Sequence, residues 1–176
     1  MDNKGKKNIS EMVDVLDGNN RRLAILSRES ARYQGLNHRL VMVTLSGEKG
    51  KVHIRRREPE EKNYPNRLDL LASGDVLSGE AIYDAAFRAI KSKTALHPPR
   101  LELLQTIPAG PETDYQVISF FSAGRIKNLP SAKNINAKNF LSLDREELNT
   151  LTREMPELLT PGLIFAWKNN LLFSRD

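Results

Sequence analysis

The chain contains no cysteine. That excludes a disulfide framework, a zinc ribbon and a thiol nucleophile, and it is compatible with a reducing compartment. Long apolar runs are missing too. No stretch approaches the ~20 residues needed to span a bilayer. Met1 to Asn8 is polar and leads into no apolar segment of a signal peptide. A cytoplasmic location with no membrane partner is therefore expected. Histidine is scarce, and His38, His53 and His97 lie too far apart to form a local metal pattern; each is read as a structural or surface residue. The single tryptophan, Trp167, is read as helix packing. Net charge is only +5, from 27 basic and 22 acidic residues. With no aromatic residues interleaved among the basic ones, that excess does not favour nucleic acid.

What remains is an ordinary globular composition. The 176 residues are 39% hydrophobic and 28% charged, enough for one domain with its own core. Residues 1–10 are expected to form a flexible tail, and residues 11–176 a single domain opened by a β-hairpin extension. Met12 to Asp17 alternates apolar and acidic residues, the period of a strand. Gly18–Asn20 is a turn signal, and Arg22–Leu26 is its hairpin partner. Ser27 is placed to cap a short helix over Arg28 to Tyr33, ended by Gly35. Leu40–Leu45 is a buried-strand pattern, and Lys51–Arg56 is the next strand. It ends in the run Arg55, Arg56 and Arg57, which either lines a phosphate pocket or marks an exposed strand end. Pro59 and Pro65 break the loop that follows. A strand is expected at Leu68–Leu71 and a loop over Ser73–Gly79, with Asp75 an ordinary turn aspartate. A helix is expected from Glu80 to Lys93, with Ile82, Ala86 and Ile90 forming its apolar stripe. Leu101–Ile107 and Tyr115–Ser122 read as strands. Residues 125–139 read as a long polar loop, and Asn139–Leu143 as a last strand. Asp144 and Glu147 have capping-box spacing. A final helix from Pro161 to about Asn170 is expected to bury Leu163, Phe165, Ala166 and Trp167. Strands and helices in this order predict a mixed sheet covered by helices on both faces.

The segment from Gly74 to Leu96 carries a longer pattern. Gly74, Glu80, Arg88, Ile90 and Leu96 fall at the glycine, glutamate, arginine and two aliphatic positions of the Nudix box, G-x5-E-x7-R-E-U-x-E-E-x-G-U, where U is a bulky aliphatic residue. Gly79–Glu80 and Ala85–Arg88 match the usual approach to that helix. The chain resembles the Nudix hydrolase superfamily, and its flanks resemble the isomerase-like subgroup. Those flanks are Val13–Asp17, Leu26–Arg28, Gly35–Arg39 and Leu158–Leu163. The resemblance implies an α/β (α+β) fold with a Nudix-type mixed sheet sandwiched between helices. It also implies a loop-bracing role for Gly74, Glu80 and Arg88, which Asp84 can join from one helical turn away.

The box departs from the family where the chemistry resides. Family members place three carboxylates on one helix face to hold a divalent cation, usually magnesium. Here those positions carry Ala89, Ser92 and Lys93, and Ala95 replaces the last glycine. A methyl, a hydroxyl and an ammonium do not hold magnesium. No metal, no other cofactor and no catalytic residue is therefore expected. Isopentenyl diphosphate isomerase chemistry needs a cysteine and is excluded. The expected partner is a small phosphorylated molecule, a nucleoside diphosphate derivative or another diphosphate, met by Lys93 with help from Arg55, Arg56 or Arg57. The alternative that Lys93 points to solvent over a vestigial pocket carries equal weight. An active hydrolase with relocated ligands from Asp69, Asp75, Glu102, Glu112 or Asp114 also stays open, as do a protein-interaction scaffold and a homodimer. Glu112 and Asp114 are read as exposed loop residues.

Overall fold

A computed structural model describes residues 11–94, 96–125 and 139–173. The expected tail over residues 1–10 and most of the expected polar loop between 125 and 139 lie outside these. The elements are β1 (Met12–Leu16), β2 (Arg22–Ser27), α1 (Arg28–Tyr33), β3 (His38–Ser46), β4 (Val52–Arg56), β5 (Leu68–Leu70), β6 (Ala72–Asp75), α2 (Ile82–Thr94), β7 (Glu102–Ile107), β8 (Gln116–Arg125), β9 (Phe140–Leu143), α3 (Arg145–Glu154) and α4 (Pro161–Lys168).

β1 and β2 form a separate antiparallel hairpin. The other strands form a mixed sheet in the order β5-β4-β3-β8-β7, with β6 joined to β3 and β9 to β4. β3 runs parallel to β8, pairing His38 with Gln116 and Met42 with Phe120. It runs antiparallel to β6, pairing Leu40 with Asp75. Alternation along β3 sends Leu40 and Met42 to one face of the sheet and Val41, Val43 and Leu45 to the other. The first set joins a core with Ile54, Phe120, Leu148 and Leu163, under α3 and α4. The second joins a core with Ala85, Ala86, Ala89 and Ile90 of α2. Helices therefore cover both faces, as the element order predicts. Among the described residues no helix is long and apolar enough to cross a membrane.

The helix ends follow local chemistry. Ser27 accepts a hydrogen bond from the Ser30 N–H at the start of α1. Asp144 and Glu147 form a reciprocal capping box at α3. Thr160 caps α4, with Pro161 in its first turn. Gly79, at φ +79°, turns the chain just before α2.

Four expectations change. Gly74 and Asp75 belong to β6 rather than to a loop, and α2 starts at Ile82 rather than Glu80. Asp75 is no surface turn residue, since only 5% of it is exposed. In α4, Leu163 and Ala166 are buried, whereas Phe165 and Trp167 are only half-buried. Phe165 stacks on Phe120, and Trp167 meets Phe173 edge-on.

Candidate functional site

α2 lies between two ionic networks, one at each end. At its N-terminal end, Arg88 Nε and Nη2 donate to the two carboxylate oxygens of Glu80 at 2.8 and 2.9 Å. Arg88 Nη2 also donates to the Asp75 carbonyl at 2.6 Å, and Glu80 accepts the Leu77 N–H at 2.9 Å. The loop between β6 and α2 is thus tied to the helix at both ends. Burial opposes ionisation of Glu80, but the bonds from Arg88 and Leu77 outweigh it and lower its pKa. Asp84 is exposed. A Cβ at Gly74 would sit 3.5 Å from the Ala89 Cβ, in ordinary contact.

Asp75 itself faces the other side of the sheet. Arg32 on α1 reaches both its oxygens, at 2.9 and 2.8 Å, and His38 Nε2 lies 3.3 Å away. His38 Nδ1 is 2.9 Å from the Leu36 carbonyl. A carbonyl can only accept, so Nδ1 carries the proton there. Gln116 Nε2 is 3.1 Å from His38 Nε2. Burial pushes the Asp75 pKa up, but His38 and Arg32 outweigh it and the net shift is downward.

The second network sits toward the C-terminal end of α2. Arg55 is 7% exposed and forks onto Glu61 at 2.5 and 3.1 Å. Arg57 reaches the same carboxylate at 2.6 Å and donates to Asp69 at 2.6 Å. The Glu58 N–H completes the shell around Glu61 at 3.0 Å. Asp69 in turn accepts from Thr160 Oγ1 at 2.9 Å, which pins the start of α4 to the network. Burial opposes ionisation of Glu61, yet Arg55, the Glu58 amide and Arg57 bring its pKa down to about 2.

Lys93 lies within electrostatic reach of this second network without bonding to it. It is half-buried, and its pKa is lowered first by burial and then by the Arg55 charge; Glu61 and Asp69 pull the other way and Arg57 adds to the lowering. Among the described residues it makes no hydrogen bond or ion pair. Arg56 is on the opposite side of the strand. It is exposed and donates to the Asn66 carbonyl at 2.9 Å. Strand alternation therefore divides the three consecutive arginines, placing Arg55 and Arg57 with Lys93 and leaving Arg56 apart. The sequence reading missed Glu61. Its signal was the spacing of Glu61 from Arg57, but only the return of the loop onto β4 brings Arg55 to the same carboxylate.

A cavity of about 340 Å³ opens on the α4 side of the sheet. Leu40, Met42, Ile118 and Phe165 give it an apolar floor, and Arg32, His38 and Gln116 give it a polar wall. Arg57, Asp69, Asn63 and Tyr64 close the side nearest the second network. The exposed Glu112 and Asp114 stand at its rim. A Cβ at Gly162 would come within 2.5 Å of Met42, so this glycine lets α4 approach the floor. Lys93, Ala89 and Ser92 do not line the cavity. Arg57 and Asp69, which do, act on Lys93 less than Arg55 and Glu61, which do not. Among the described residues no group of three or more His, Asp or Glu side chains is placed to hold a metal ion.

No family model matches the chain. An uncharacterised Nudix hydrolase of Yersinia pestis is 32% identical over 88 residues, covering 50% of this chain and 48% of its own length. One from Streptomyces coelicolor is 34% identical over 95 residues, covering 53% and 52%. The chain thus spans about half the length of the curated relatives it matches. Among solved structures, a Deinococcus radiodurans protein superposes with a TM-score of 0.76 at 19% identity, over 90% of this chain and 98% of its own. Its solution structure describes it as a hypothetical Nudix protein. The Nudix domain of Shewanella oneidensis NrtR, solved with ADP ribose, gives a TM-score of 0.55 at 16% identity, over 74% and 84%.

Proposed function

The chain belongs to the Nudix superfamily, and we propose that within it this protein binds a diphosphate compound, of the nucleoside diphosphate type, without the box-held cation. The reading rests on the half-buried Lys93 ammonium at the C-terminal end of α2. Arg55 and Arg57 are paired with Glu61 and Asp69, and Glu58 adds its charge near Arg55, whereas the nearby Lys93 has no bonded partner among the described residues. Arg57 and Asp69 of this group line a cavity large enough for a planar ring and a sugar.

The superfamily implies a divalent cation on this helix, and the side chains present do not fit one. Ala89 is 1% exposed and packs its methyl into the core. Ser92 Oγ donates to the Ala89 carbonyl at 2.9 Å. Lys93 brings a positive charge where the cation's own charge needs oxygen donors. The chain's own residues would divide the work: Lys93 meets the phosphate charge, and the cavity takes the organic part. The ADP ribose in the Shewanella domain makes that compound a fitting first probe.

An active hydrolase with relocated ligands is the alternative, favoured by the exposed carboxylates of Glu112 and Asp114 at the cavity rim. One experiment separates the two. Nucleoside diphosphate compounds, ADP-ribose among them, are incubated with the protein and magnesium or manganese, and product release is compared with calorimetric binding under chelator. Binding under chelator, lost in Lys93→Glu, with no release, supports the binding role. Release that a chelator abolishes contradicts it and places ligands outside the box.

A further inference from the structure

The Glu61 carboxylate lies in a shell built like an oxyanion site. Two guanidinium groups and one backbone N–H converge on it, from Arg55 at 2.5 and 3.1 Å, Arg57 at 2.6 Å and Glu58 at 3.0 Å. Forked guanidinium pairs and main-chain amides are the donors that phosphate groups select. Lys93 adds a third positive charge with no bonded partner among the described residues. A carboxylate brings one negative charge to this cradle. A phosphate group brings up to two, with three acceptor oxygens. Asp69 on Arg57 and the Glu58 charge near Arg55 stay in place, so what a phosphate would take from Glu61 is the fork of Arg55, the second arm of Arg57 and the Glu58 N–H.

We propose that Glu61 is an internal anion that the ligand's phosphate displaces, so that the segment from Glu58 to Asn66 acts as a self-occupied gate on the cradle; this rests on the binding role above. The segment is built to let go. Residues 62–66 on its far side are exposed, so little apolar surface is lost when it swings out. Its main buried hold is Glu61 itself, helped by the Arg57 bond to the Asn63 carbonyl at 2.8 Å and the Asn139 bond to Glu58 at 2.6 Å; the Lys62–Glu29 pair and the Arg56 bond to the Asn66 carbonyl are exposed to solvent and add little. Tyr64 and Asn66 occupy left-handed backbone, at φ +49° and +62°, conformations that cost free energy for residues other than glycine. Asn63 and Tyr64 also line the cavity. One loop thus closes the cradle and walls the cavity, and a ligand that spans both moves it once.

Inorganic pyrophosphate is the probe, with the full chain, chelator present, and hydrogen exchange and calorimetry as readouts. Exchange at the amides of residues 58–66 is expected to accelerate when pyrophosphate binds the wild type. Glu61→Gln, which keeps the shape and removes the competing charge, is expected to bind pyrophosphate roughly tenfold tighter. It is also expected to melt earlier without the anion, because Arg55 is left unpaired, and to recover most of that loss with it. Unchanged or slowed exchange in the bound wild type overturns the gate, as does equal or weaker binding by the variant. If the variant does not fold, the wild-type exchange result decides alone. Should ADP-ribose still bind in a Lys93-dependent way after such a result, only the gate is lost. Failure of both probes on both proteins removes the binding role as well.

Discussion

The two ionic networks at the ends of α2 use the same residue types for different ends. At the N-terminal end charges match. Glu80 has Arg88, and Asp75 has Arg32 with His38 alongside. At the C-terminal end the pairing is incomplete, since Lys93 bonds to no carboxylate among the described residues while both arginines are committed to Glu61 and Asp69 and Glu58 adds its charge near Arg55. A matched network braces a loop and asks for nothing further. An unmatched one beside a cavity keeps a demand for an anion, and buried positive charge without an anion costs stability. The contrast is between a network in which every cation is paired and one that leaves Lys93 without a bonded partner among the described residues.

The largest expected effect breaks the matched network. Asp75→Ala leaves His38 and Arg32 without their shared carboxylate in a buried setting, and should cost about 3 kcal/mol in denaturant unfolding. A loss near zero would mean that Asp75 is not bracing the fold.

Acid comes next, and it acts on the unmatched network. The Glu61 pKa is lowered from 4.5 to about 2. A carboxylate depressed on folding adds stability that is present above its unfolded value and lost as pH falls through the folded one. Stability should therefore decline between about pH 4.5 and pH 2. Glu61→Gln should flatten that part of the curve, and identical acid profiles would refute the assignment.

Removing the surplus charge has the opposite sign. Lys93→Met deletes a half-buried ammonium that burial and Arg55 both penalise, and should stabilise the protein by about 0.5 kcal/mol after solvent screening. Thermal melts that show a loss instead would reveal an anion already bound to Lys93. The smallest effect belongs to Arg56→Ala. It should change stability by no more than about 0.5 kcal/mol and leave ADP-ribose binding unaltered. Weakened binding would place Arg56 at the site after all.

The fold was legible because its signals are periodic. Leu40–Leu45, the stripe of Ile82, Ala86 and Ile90, and the cap at Asp144 each fix an element locally. Asp75 misled because a glycine–aspartate pair reads as a turn, whereas pairing of β6 with β3 makes it a strand. Its partners Arg32 and His38 come from α1 and β3, and no spacing links them to it. The arginine run was half legible: period-two alternation already divides Arg56 from Arg55 and Arg57, but which side meets Lys93 depends on where α2 packs. Phe165 and Trp167 look like core from composition, yet they lie toward the cavity and the chain's end, where cover is thinner.

The most direct test of a cation-independent binding site is calorimetric titration of ADP-ribose into the wild type and Lys93→Glu, with chelator and again with magnesium. The predicted result is binding by the wild type of equal strength in both conditions and its loss in the variant. Binding that appears only with magnesium and survives Lys93→Glu would contradict the account and point to a metal-dependent site instead.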